Sequence, residues 1–140
     1  MQIITIKGKL PSRNEADDAF RRNWSVGAKF KREHTELVAW ECLAQRIKPA
    51  KMFPVAVAVT FYEKDMKRDA DNIVGGGLKY ILDGMVQARI IPNDTRKHVR
   101  LYVNPVELDR QNPRIEIIIT EAAEHGEQKD SRQENGQYQG

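Results

Sequence analysis

Apolar positions along the chain alternate at first, then step in threes and fours, and alternate again. Residues 2–8 alternate weakly and are rich in Ile and Thr, which predicts a strand. Leu10-Pro11-Ser12-Arg13-Asn14 breaks it. Residues 12–28 are polar and predict a loop, with at most a short helix around 15–22. From Lys29 to Ile47 the period becomes helical. Leu37, Trp40, Ala44 and Ile47 recur at steps of three and four, with Phe30 and His34 near the same line. This predicts an amphipathic helix lying on a sheet, with Trp40 in the core. Lys48-Pro49-Ala50-Lys51 ends it. Phe53 to Tyr62 has the Val-Ala alternation of a strand covered on both faces, with Pro54 at its start.

Asn72 to Arg89 predicts a second helix, with Ile73, Leu78, Ile81, Leu82, Met85 and Val86 on its apolar face. Residues 97–106 and Arg114–Thr120 predict two strands joined through a turn region, Glu107–Pro113, as an antiparallel hairpin. The order β-α-β-α-β-β implies an α+β fold, a two-layer domain with helices packed on a mixed sheet over residues 1–120. Residues 121–140 are Gln-, Glu- and Gly-rich with almost nothing apolar and predict a disordered acidic tail.

The tail holds five acids and two bases, so residues 1–120 carry 21 bases against 15 acids. A basic folded part is consistent with a nucleic-acid partner, and equally with an ordinary charged surface. One cysteine, Cys42, excludes an internal disulfide and a cysteine-based zinc site, and His34, His98 and His125 lack zinc spacing. No apolar run is long enough to span a bilayer, and the N-terminus lacks the pattern of a secretory signal. The expected setting is the cytoplasm, with no membrane partner.

Candidate chemistry concentrates at Lys67-Arg68-Asp69-Ala70-Asp71-Asn72. Asp69 and Asp71, two residues apart on an extended segment, point to one side and can share a hard cation. Asp94, in the loop beyond the second helix, is the candidate third ligand, flanked by Asn93. Lys79 is spaced to face the site, and Asp83, four residues on, to pair with it. Lys67, Arg68, Arg96 and Lys97 are candidate phosphate contacts. The same acids also suit a helix-entry turn with Asp71 as N-cap. Gly75-Gly76-Gly77 implies close approach of another backbone, such as a second subunit, or of a phosphate. Trp24, in a basic loop, stacks a base or, as the sequence favours, pins the loop to the core.

Three matching stretches are Arg68-Asp69-Ala70-Asp71-Asn72-Ile73, Leu78-Lys79-Tyr80-Ile81-Leu82-Asp83-Gly84-Met85 and Ile90-Ile91-Pro92-Asn93-Asp94. In these the sequence resembles the RusA family of Holliday junction resolvases, endonucleases common in phages and prophages. Leu10-Pro11-Ser12 also resembles the family's N-terminal loop, so the resemblance spans roughly residues 3–120. It implies a Mg²⁺-dependent endodeoxyribonuclease, with Mn²⁺ able to substitute, that acts as a homodimer on four-way or other branched DNA in recombination and repair. It further implies a bacterial, phage- or prophage-encoded protein. By position, Asp69, Asp71 and Asp94 become the metal-binding catalytic acids and Lys79 the catalytic-site lysine, with Asn72, Asp83 and Asn93 around them. The Asp71–Lys79 spacing is one helical turn longer than in the founding member. Asn93 stands where the family commonly has Asp. The rival expectation is an inactive branched-DNA-binding protein of the same fold.

Overall fold

The computed structural model describes residues 1–122, in which three helices and five strands form a mixed α+β domain. Alternation makes β1 (Gln2–Lys7), β2 (Val55–Glu63) and β5 (Arg114–Thr120), with Ile4, Ile6, Val55, Val57, Val59, Ile115, Ile117 and Ile119 turned into the core. The sheet order is β1-β5-β2-β3, with β5 antiparallel to both its neighbours.

The expected hairpin does not form. β3 (Val99–Val103) pairs with β2 in parallel, and so does the short β4 (Glu107–Leu108), which continues that edge. A parallel pair needs a crossover, and α3 (Ala70–Gln87) supplies it between β2 and β3.

The stretch 12–28 is helical well beyond the short helix expected around 15–22. α1 (Arg13–Arg22) is polar, but Ser12 and Glu15 close a capping box at its start. Asn23 is extended and caps α2 (Trp24–Ala44) through a bond from Val26 N. Gly27 lets α1 fold back, because a Cβ there would collide with the Phe20 ring. The buried face of α2 is made of small residues (Gly27, Thr35, Ala39, Cys42) together with Val38, which packs on Gly84 of α3. Trp24 is therefore 74% and Trp40 64% exposed, and neither belongs to the core. Burial pushes the Cys42 thiol up to about 11, out of ordinary reactivity.

Within the chain, the glycine run makes room for backbone at Gly76 and for side chains at Gly75 and Gly77. A Cβ on Gly76 would lie 2.5 Å from Pro11 O and from Arg13 N, and one on Gly77 would meet the Phe61 ring. Gly76→Ala is expected to destabilise the domain by about 1–3 kcal/mol in urea denaturation, despite alanine's better helix propensity. Unchanged stability would mean that residues 11–13 yield freely.

The outer edge of β1 is covered: the Gln45 amide bonds both Thr5 N and Thr5 O, and Gln2 does the same to Lys48. β3 forms the opposite edge, with Leu101, Tyr102 and Val103 exposed. Glu121 accepts bonds from Lys51 N and Met52 N, so the first residue of the expected tail is tied to the domain. The rest of that tail, beyond Ala122, lies outside the described residues. No helix among the described residues is long and apolar enough to cross a membrane.

Candidate functional site

The inward alternation of β2 ends on a carboxylate, Glu63, which is 7% exposed. A buried carboxylate needs a cation, and Arg68 supplies it. Its Nε and Nη2 donate to the two Glu63 oxygens at 3.0 and 2.8 Å. Its Nη1 donates to Leu10 O at 3.0 Å and to Glu15 Oε1 at 3.1 Å. Burial works against the Arg68 charge, but bonds and charge from Glu63 and Glu15 hold it more firmly protonated than usual. Arg68 is thus a clamp joining β2, the Leu10 loop and α1, with its guanidinium bonded inside the chain where a phosphate contact was expected.

Glu15 serves both the clamp and the capping box. Partial burial works to raise its pKa, but bonds from Ser12 and the charges of Lys9 and Arg68 hold it below 4.5. A lowered acid contributes stability above its unfolded value and loses it as pH falls through the folded one. Acid therefore loosens this corner below about pH 4.5.

The clamp returns the chain so that Asp69 is the N-cap of α3 and Asp71 lies in its first turn. The carbonyl of Asp69 accepts from Asn72 N and Ile73 N, but its side chain makes no capping bond. Both carboxylates are exposed. Asp69, not Asp71, is thus the N-cap residue, and among the described residues neither carboxylate has a partner at this positive end of a helix.

Arg13 is a neighbour that the sequence alone did not reveal. Its guanidinium lies over Gly75, where a Cβ would sit 2.5 Å from Nη2. Gly75, half-buried, is one turn beyond Asp71, and the exposed Lys79 is one turn further along the same face. The paired glycines and the Leu-Pro-Ser-Arg loop were the available signal. On the other side of the 64–68 loop, Lys9, Lys64 and Lys67 line a cleft of about 430 Å³. Asn72, in the first turn of α3, is half-buried.

Asp94 does not join them within one chain. It borders hollows lined by Asp83 and Gln87 on one side and by Arg96, Lys97 and Arg100 on the other. Asp71 and Asp83 are twelve residues apart on α3, roughly 18 Å along its axis. Lys67 and the pair Arg96 and Lys97 therefore stand at opposite ends of the helix, not around one site. Among the described residues no three His, Cys, Asp or Glu side chains gather as a metal-binding group. Asp83 turns to Lys31 of α2, at 3.8 Å, instead of to Lys79. Asn93 braces its own turn: its Oδ1 accepts from Thr95 N and Thr95 Oγ1 and lies 2.8 Å from His98 Nδ1. That turn launches β3, so Asn93 has a structural use separate from any ligand role.

Comparison with protein-family models gives no match for this chain, and a search of curated proteins finds no similar one.

Proposed function

We propose that this protein is a metal-dependent endonuclease that cuts branched DNA by phosphodiester hydrolysis, acting as a homodimer. The observation that carries the proposal is a pair of exposed carboxylates, Asp69 and Asp71, unpartnered among the described residues, held by the Glu63–Arg68 clamp and bordered by cations. The donor set suits Mg²⁺ or Mn²⁺: carboxylate oxygens, no thiolate, and room for water. Bound there, such an ion supplies an activated water and neutralises charge on the phosphodiester.

The chain's own groups do the rest. Asp69 and Asp71 hold the ion at a fixed place relative to α3. Side chains on a helix lean toward its N-terminus, which carries the Lys79 ammonium back toward Asp71. Arg13 lies between them and Lys79 completes a cationic strip for the phosphate under attack. Lys9, Lys64 and Lys67 meet the backbone on the other side of the loop.

Asp94 enters from a second copy. If two β3 edges pair antiparallel about a two-fold axis, each α3 runs antiparallel to its mate. The Asp94 end of one chain then meets the Asp69 and Asp71 end of the other. The same pairing covers Leu101, Tyr102 and Val103, which lie exposed on a strand with no outer neighbour among the described residues.

The test is incubation with an end-labelled four-way junction and a matched linear duplex, in Mg²⁺, Mn²⁺ or EDTA. Paired nicks near the branch are expected with either metal and none in EDTA. A junction bound but uncut with both metals would make the chain a branched-DNA-binding protein. Failure to bind or cut any DNA would end the nucleic-acid reading.

A further inference from the structure

We infer that the groove running from Trp24 to Asp94 binds an unpaired nucleic-acid strand, with one base stacked on the Trp24 indole. The inference rests on the nuclease proposal in one respect, that the far end of the groove leads to the cutting centre.

Trp24 is the first residue of α2, and its ring is left in water beside Phe20. Single exposed apolar residues are common and need no cause. This one forms the wall of a hollow of about 490 Å³ whose other lining includes Lys31 and Arg32. Arg22 ends α1 two residues before it. Arg22 and Arg32 form no ion pair among the described residues, whereas Arg21 is held by Asp18 at 2.7 Å and Lys31 by Asp83 at 3.8 Å. An aromatic face with free guanidinium groups beside it is the chemistry that holds an unstacked base and its phosphates.

The hollow does not end there. It shares Thr35, Asp83 and Gln87 with a second one of about 330 Å³, which reaches Asp94. Beyond Asp94 stand Arg96 and Lys97. The path thus has cations at both ends and its acids, Asp83 and Asp94, in the middle. A duplex presents stacked bases that the indole cannot reach, so the groove selects strands opened at a branch or end.

Trp24 and Trp40 are the two tryptophans of the chain. In Trp40→Phe protein, kept in EDTA, Trp24 fluorescence is expected to be quenched by a single-stranded oligonucleotide or a forked duplex, and little by a blunt duplex. Trp24→Phe protein, reporting Trp40 alone, is expected to stay unquenched. By anisotropy Trp24→Ala should weaken single-strand binding by about tenfold, with Trp24→Phe close to wild type. Because the ring is exposed, these variants keep the fold, which circular dichroism checks. DNA bound and cut normally with Trp24 unquenched and Trp24→Ala unaffected would overturn the groove and leave the nuclease standing. Quenching without metal-dependent cutting would do the reverse. No binding to any DNA would overturn both.

Discussion

Protomers carrying Asp71→Asn and protomers carrying Asp94→Asn are each expected to be inactive alone and active when mixed. The reason is geometric. Asp69 and Asp71 lie at the start of α3, whereas Asp94 borders hollows near its end. A chain therefore carries two candidate ligands at the start of α3 and one near its end. In a two-fold dimer each centre takes the pair from one copy and Asp94 from the other. Either substitution alone spoils both centres, and cutting should fall by at least roughly a hundredfold. After exchange of subunits, heterodimers contain one centre with all three acids intact. Mixing should then restore about one quarter of wild-type nicking. If the three acids worked within one chain, mixing would restore nothing. Full cutting by Asp71→Asn alone would remove the acid pair from the mechanism. Tyr102→Asp is the companion test. It places a charge on the exposed β3 edge, so sedimentation should give a folded, inactive monomer. A Tyr102→Asp dimer would move the interface elsewhere.

Much of the frame was legible because period-two patterns are unambiguous when Ile and Val carry them. β1, β2 and β5 lie close to where alternation puts them. α3 was legible from its apolar face, and its glycines from their cost, though not what they make room for. α2 misled because its largest apolar residues do not mark its buried side. Leu37, Trp40 and Leu43 are exposed, while Gly27, Thr35, Ala39 and Cys42 are buried where helix must approach helix closely. α1 is legible only as a short helix around 15–22 within a polar stretch, because its start is set by a cap and not by a stripe. The β3–β5 hairpin does not form because neighbours in sequence need not be neighbours in the sheet; the α3 crossover sends β3 beside β2 instead. The position of Asp94 failed for a related reason. The order of motifs along a chain does not say which end of a helix each one meets. Glu63 was the overlooked signal: alternation from Val55 turns it inward, and a buried acid demands the cation that follows five residues later.

Arg68→Ala is expected to cost about 3–5 kcal/mol of stability, whereas Lys67→Ala next to it costs less than about 0.5 kcal/mol. The sequence treats the two as equal phosphate contacts, but their surroundings differ. The Arg68 side chain is 15% exposed and bonds Glu63, Leu10 and Glu15, while Lys67 is exposed at the mouth of the cleft. Removing Arg68 leaves the Glu63 charge buried without a counter-ion and frees the corner that sets Asp69. Domains of this size are stable by only about 5–15 kcal/mol, so Arg68→Ala should unfold at a clearly lower urea concentration than wild type. Most of that loss is the orphaned charge, not the missing bonds. Adding Glu63→Gln to Arg68→Met should therefore recover part of it. Lys67→Ala acts on binding instead. It should weaken affinity for junction and duplex alike and reduce the slope of log K against log salt by about one. Urea denaturation of the variants, beside salt titrations of DNA binding, separates the two roles. An Arg68→Ala protein as stable as wild type but with a lower salt slope would return Arg68 to the DNA and leave Glu63 without its clamp.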